Sequence, residues 1–323
     1  MEDYPQNQLE FAERFFTEEA CRAYLFSMRW PNGFQCPRCS SSDAWPTKRF
    51  VYRCSECDYQ ASVTSGTIFH GTRKPLRLWF LAMWNVTSQK YGANALGLQR
   101  VLGLGSYHTA WEWLHKLRRA MVRPGREKLS GAVEVDETYV GGRKSGKRGR
   151  GAEGKTLVMI AVEDKGKLGF GRIRLGRVED ASSDSLIQFI KDNVESGSRV
   201  KTDGWQGYSS LVKNGYKHEV QEEAGNTGEE ILPLVHRIAS LMKRWLMGTY
   251  QGAVREQHLD YYLDEYTFRF NRRTSGSRGK LFYRLVQQAM MVAPVPASSI
   301  IGGIGLPDEN QEVVPPSLSE DGD

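Results

Sequence analysis

Two stretches, Ala132-Val133-Glu134-Val135-Asp136-Glu137-Thr138-Tyr139-Val140 and Arg199-Val200-Lys201-Thr202-Asp203-Gly204-Trp205, decide how this chain is read. Each is a strand-like apolar run with an aspartate at its end. Strand ends hold carboxylates rigidly, and Mg²⁺ prefers one or two carboxylates together with substrate phosphate. Asp136 and Asp203 are therefore candidate ligands for magnesium or manganese, and phosphodiester chemistry is the first expectation.

Composition points the same way. The 323 residues are 40% hydrophobic, ordinary for a globular protein and long enough for two or three domains. Net charge is +6 and the pI is near 9.0. The stretch after Met291 has no Lys or Arg and holds Asp308, Glu309, Glu312, Glu320, Asp321 and Asp323, so without it the net positive charge doubles. Such a body favours a polyanionic partner. The acidic, polar N-terminus lacks the regions of a signal peptide, and no apolar run approaches the ~18 residues of a membrane span. A cytoplasmic, nucleoid-associated protein without a membrane partner is expected.

Four of the five cysteines form the pairs Cys36-Pro37-Arg38-Cys39 and Cys54-Ser55-Glu56-Cys57, separated by fourteen residues. In a reducing compartment this spacing reads as a zinc ribbon with Cys36, Cys39, Cys54 and Cys57 as ligands, and Cys21 reads as core. Residues 73 to 122 read as helices. A short one from Ala93 to Leu102, a glycine turn and a longer one from Tyr107 to Met121 outline a helix-turn-helix. Trp111, Leu114 and Leu117 are expected inward, and His108, Lys116, Arg118 and Arg119 toward DNA.

From Gly131 the pattern alternates. Strands are expected at 132 to 140, 156 to 162, 169 to 175 and 200 to 202, with an amphipathic helix from Ser182 to Val194 before the last. Three strands, a helix and a further strand are the order of an α/β RNase H-like core. There the first and fourth strands are neighbours, which would bring Asp136 and Asp203 together. The glycine-rich loop after the first strand carries Arg143, Lys144, Lys147, Arg148 and Arg150, suited to a DNA backbone. Helices follow at Glu256 to Phe270 and Leu281 to Val292. The expected domains are a helical segment over 1–32, a zinc ribbon over 33–70, a helix-turn-helix-like region over 73–125, an RNase H-like catalytic domain with C-terminal helices over 130–292, and a disordered acidic tail over 294–323.

Together the ribbon, the Val135-Asp136-Glu137-Thr138-Tyr139-Val140-Gly141-Gly142 block, Thr202-Asp203-Gly204-Trp205-Gln206-Gly207-Tyr208, the segment from His236 to Thr249, and Tyr266 to Arg273 resemble prokaryotic insertion-sequence transposases of the zinc-ribbon DDE group (ISXO-like), relatives of the Merlin elements. The resemblance covers residues 20 to about 285. It implies a metal-dependent transposase that binds terminal inverted repeats as a homo-oligomer on double-stranded DNA, cleaves the phosphodiester at the element ends and joins the 3′ ends to target DNA. Asp136 and Asp203 would be the first two metal ligands. His236 would stand at the third, usually acidic position, with Lys243 seven residues on against a phosphate and Arg244 beside it on the DNA path. By chemistry alone Glu229, Glu230 or Glu265 also qualify as the third group. With period two, Glu134 shares the Asp136 face and Glu137 points away; Trp205 and Tyr208 are expected to pack in the core. The alternatives are a catalytically inactive or repurposed DNA-binding relative and a metal-dependent nuclease that cleaves without joining.

Overall fold

A computed structural model describes residues 2–48, 50–123, 125–141, 155–221, 231–252 and 254–302. The chain forms two compact units, Met1–Pro124 with Ser275–Asp323, and Gly125–Thr274.

The expected N-terminal helix is two: α1 (Gln8–Arg14), capped by the Asn7 side chain, and α2 (Glu18–Arg29), capped by Thr17. The break falls where Thr17 offers its hydroxyl to the Ala20 N–H, because threonine is a better cap than an interior residue. A three-stranded antiparallel sheet of β1 (Ala44–Pro46), β2 (Tyr52–Cys54) and β3 (Gln60–Ala61) follows. Then comes α3 (Leu76–Ser88). Its N-cap, Pro75, has no capping side chain, and the Glu18 carboxylate accepts from the Leu76 and Arg77 N–H groups instead, at 2.6 and 3.0 Å. Next, α4 (Ala95–Leu102) ends on Gly103 in the left-handed conformation, and α5 (Tyr107–Arg119) is capped by Ser106. The expected helix, glycine turn and helix are thus present.

The second unit is built on a five-stranded sheet. Its members are β4 (Ala132–Val140), β5 (Thr156–Asp164), β6 (Phe170–Val178), β7 (Arg199–Thr202) and β8 (Lys217–Val220), in spatial order β6-β5-β4-β7-β8. The first three form an antiparallel meander; α6 (Ser183–Asn193) then crosses over so that β7 pairs parallel with β4, and β8 parallel with β7. This is the RNase H-like order. Strand β8 was not expected, because Lys217-His218-Glu219-Val220 carries no apolar run. It is an edge strand held by backbone pairing.

Strand β5 is buried on both faces, and its alternation sorts the two cores. Val158, Ile160 and Val162 pack with α7 (Pro233–Tyr250) and α8 (Leu259–Asn271), whereas Met159 and Ala161 pack with α6 and Tyr208. Residues directly opposite in a sheet point to the same face. Asp136 pairs with Ile160 and Glu134 with Val162, so both face α7; Glu137 pairs with Met159 and faces the other core.

Two expectations for the C-terminus change. The helix placed at the end of the catalytic domain, α9 (Arg278–Ala289), belongs to the first unit, where Phe282 meets Phe11, Phe15, Tyr24, Phe80 and Trp84. Its apolar stripe finds aromatic partners there. The segment expected to be structureless from 294 begins with α10 (Ala297–Gly302), because Ile300 is buried. All six tail acids lie outside the described residues. No helix among the described residues is long and apolar enough to cross a membrane.

The fully buried Phe282 links five other aromatic rings of the first unit. Phe282→Ala should therefore destabilise that unit by about 3 to 5 kcal/mol, read by denaturant unfolding followed through tryptophan fluorescence. A loss below about 1 kcal/mol would mean that the cluster does not hold the unit together.

Candidate metal and catalytic site

Glu134 organises the second unit's polar centre. Helix α7 begins at Pro233, and its N-cap, Leu232, has no side chain able to cap. The Glu134 carboxylate takes that role from β4, accepting from the Leu234 and Val235 N–H groups at 2.9 and 3.2 Å. Burial pushes its carboxyl above the usual range, while the two N–H groups oppose that shift. The helix then runs along the strand in the same direction. Four strand residues advance about 13 Å, and the nine helical residues from Leu234 to Lys243 advance about as far. The matching contacts follow: Glu134 with Leu234 and Val235, Asp136 with His236, Thr138 with Lys243.

Asp136 and Asp203 occupy corresponding places on neighbouring strands. The parallel pairing of β4 and β7 aligns Glu134 with Lys201, so two residues further along the register sets Asp136 opposite Asp203, just past the end of β7. Each carboxylate is oriented by a local backbone N–H. Glu137 donates to Asp136 Oδ1 at 2.8 Å, and Trp205 donates to Asp203 Oδ1 at 3.1 Å. His236 Nε2 lies 3.5 Å from Asp136 Oδ2. Burial, then the like charges of Glu137 and Asp203, push the Asp136 carboxyl up to about 6, against the opposing influence of His236. Lys243 donates to the Thr138 hydroxyl at 2.6 Å; burial and then nearby Lys155 hold its ammonium below the usual lysine range.

On α7 the exposed stripe carries His236, Arg237, Lys243 and Arg244, with Val235, Ile238, Met242, Trp245 and Leu246 inward. Arg237 and Lys155 were missed in the sequence. The signal for Arg237 was available, since it stands seven residues before Arg244 just as His236 stands before Lys243. Of the other candidates for the third position, Glu265 is buried and accepts from the Tyr250 hydroxyl at 3.0 Å and from Arg269 Nε at 2.9 Å. Glu229, Glu230, Arg143, Lys144, Lys147, Arg148 and Arg150 lie outside the described residues. Glu137 accepts from the buried Tyr208 hydroxyl at 2.8 Å, and Trp205 donates to the Ala181 carbonyl.

The helix-turn-helix expectation needs two corrections, the first being that Trp111, expected inward, is only half-buried while Trp113 is buried. Ala110, Trp113, Leu114, Leu117 and Arg118 form the inward stripe of α5, so Arg118 is buried and its guanidinium lies 3.4 Å from the His115 ring rather than in solvent. Lys116 is ion-paired with Glu112 at 2.6 Å, Arg119 is half-buried, and Tyr107 and His108 are exposed at the helix start.

Among the described residues, the group of three or more potential metal-binding side chains drawn within 4.8 Å of one another is Cys36, Cys39, Cys54 and Cys57. Cys36 and Cys57 Sγ are 3.6 Å apart, and Cys39 and Cys54 Sγ 3.5 Å. Four thiolates at about 2.3 Å from a zinc ion would be spaced at about 3.8 Å, so the cage fits structural zinc. Asp136, Asp203 and His236 do not form so tight a group. The two carboxylates are oxygen donors of the kind magnesium or manganese prefers, whereas the His236 imidazole is a nitrogen donor.

Two outcomes follow. Elemental analysis should find about one zinc per chain, and Cys54→Ser should lose it together with the ribbon's protection from proteolysis, whereas full retention of zinc would exclude this cage. Asp136 binds its proton more tightly folded than unfolded. Its stabilising contribution is thus complete below about 3.8, the unfolded value, and is lost as pH rises through about 6. Without added divalent cation, Asp136→Asn should therefore raise stability by up to about 3 kcal/mol above pH 6 and not below pH 4, as followed by thermal melting across pH. An equal effect at both ends would exclude this origin.

Comparison with known proteins places these features in a family. Residues 128–271 match the ISXO2-like transposase domain, and residues 16–60 match the transposase zinc-ribbon domain. A protein of transposable element ISH50 from Halobacterium salinarum, described as uncharacterized, is 27% identical over 256 residues, covering 72% of this chain and 84% of that protein. Among solved structures, the catalytic core domain of BIV integrase aligns at a TM-score of 0.31 and 16% identity, covering 47% of this chain and 90% of that one. The simian T-cell lymphotropic virus intasome in complex with PP2A regulatory subunit B56 gamma aligns at 0.31 and 14%, covering 62% and 74%. With a four-cysteine ribbon ahead of an RNase H-like core, and with both parts matched by the corresponding transposase domains, the chain belongs to the ISXO2-like, zinc-ribbon insertion-sequence transposases.

Proposed function

We propose that the chain is a DDE-type transposase that binds the terminal inverted repeats of its insertion sequence, cleaves the phosphodiester at their boundary and joins the freed 3′ ends to target DNA. The observation that carries this reading is the parallel register of β4 and β7, which carried two residues on brings Asp203, just past the end of β7, level with Asp136, with His236 3.5 Å from Asp136. Burial and then the like charges of Glu137 and Asp203 raise the Asp136 carboxyl, and a divalent cation between carboxylates relieves that crowding of charge.

Asp136 and Asp203 would hold magnesium or manganese. A cation held there would supply Lewis-acid polarisation of the scissile phosphate and charge stabilisation for the attacking and leaving oxygens. His236 completes the group by hydrogen-bonding from its ring to the phosphate or to water beside it. Lys243, fixed by Thr138, holds a phosphate near the scissile bond, and Arg237 and Arg244 extend the cationic path along α7. Arg143, Lys144, Lys147, Arg148 and Arg150 would track the DNA backbone.

End recognition is assigned to the ribbon and the helix-turn-helix. Within α5, exposed Tyr107 and His108 at the N-terminal end take the place of buried Arg118, since the start of a recognition helix reads base edges. Lys116 and Arg119 would serve phosphates. The protein acts as a homo-oligomer on paired ends and on target DNA, in the cytoplasm at the nucleoid.

With Mn²⁺ or Mg²⁺ and a labelled duplex carrying the element's terminal repeat, the protein should nick at the repeat boundary, and Asp203→Asn should cut nicking about a hundredfold or more while end binding persists. Specific binding without metal-dependent nicking would instead identify a repurposed DNA-binding relative, and nicking without joined product a nuclease.

A further inference from the structure

Beside the catalytic group, a recess of about 620 Å³ opens between the end of β4 and the second half of α7. Tyr139, Lys155, Lys243, Leu246, Met247 and Val254 line it. The size is within the range of about 300 to 1,000 Å³ typical of small-ligand sites. Its chemistry is divided. One side presents two ammonium groups close enough that Lys155 acts electrostatically on Lys243, and no carboxylate lines the recess among the described residues. The other side is an aromatic and aliphatic wall, and Met247 is half exposed in it. Across Tyr139, a neighbouring recess is lined by Glu179, Asp180 and Glu256 as well as by Lys155 and Arg177, and its three carboxylates make it less favourable to an anion than the Lys243 side.

We propose that this recess seats one unpaired nucleotide of the DNA strand beside the scissile phosphate, its phosphate on Lys155 and Lys243 and its base against Tyr139, Leu246 and Met247. The inference rests on the transposase reading and deepens it by naming a subsite. Two lysines alone would fit any phosphate. The apolar wall adds a surface on which a base lies without sequence preference. Lys243 belongs to both the subsite and the catalytic face through Thr138, so seating the nucleotide would fix the neighbouring phosphate over Asp136.

Taking a base out of the duplex costs unpairing energy, and a mismatch removes part of that cost in advance. Full-length protein is titrated, without divalent cation, with terminal-repeat duplexes bearing a single mismatch at successive positions across the cleavage boundary. One position should tighten binding about tenfold. Replacing that nucleotide by an abasic one should forfeit the gain if the base is seated. Lys155→Ala and Met247→Trp, both at solvent-accessible positions, should abolish the gain. No responsive position, or the same gain in both variants, overturns the proposal. A gain retained by the abasic duplex also overturns it, leaving only a phosphate contact. Failure of wild-type protein to prefer repeat over random duplex is a separate result, which removes the transposase reading itself.

Discussion

The candidate site depends on a carboxylate that is not proposed to touch substrate. Helix α7 starts without a capping side chain of its own, and Glu134 supplies one from the middle of a strand. A buried carboxylate needs hydrogen bonds and a favourable field; a helix N-terminus offers both, and an unsatisfied N–H pair needs an acceptor. Each defect is the remedy for the other. The pairing fixes where the helix begins relative to β4, and with that phase set, His236 arrives at Asp136 and Lys243 at Thr138. A shift of one residue in the start of α7 would rotate both away, since each residue turns a helix by about 100°.

The sheet imposes the second constraint. Alternation along β4 sends Glu134 and Asp136 to the α7 face and Glu137 to the opposite one, where Tyr208 receives it. Three acids within four residues are thereby divided between two faces. Even so, burial and then the negative charge of Glu137 raise the Asp136 carboxyl.

Much of the core could be read from the chain because β5 is apolar throughout and its neighbours alternate, patterns imposed by burial on two faces and on one. The correspondence of Asp136 and Asp203 followed from strand order, although their register could not, since pairing over 67 positions is a tertiary fact. His236 was reached only through family resemblance. What escaped notice has a common cause. Strand β8 is polar and stabilised by backbone hydrogen bonds; Glu18 and Glu134 cap helices distant in sequence; Arg118 is charged and yet sits on an inward stripe. Local patterns report side-chain burial by hydrophobicity, so groups buried for their hydrogen bonds leave no mark.

The return of α9 to the first unit bears on how the protein is made. Phe282 completes the aromatic cluster begun by Phe11, so that core lacks its centre until the ribosome has synthesised the whole of the sheet-bearing unit. The sheet-bearing unit, contiguous in sequence, can fold as it emerges, while the N-terminal helices wait. A frameshift or stop codon anywhere between the two halves of the first unit would therefore leave its N-terminal part without a core. Decay of an element copy late in its reading frame would silence the protein from its beginning as well as from its end.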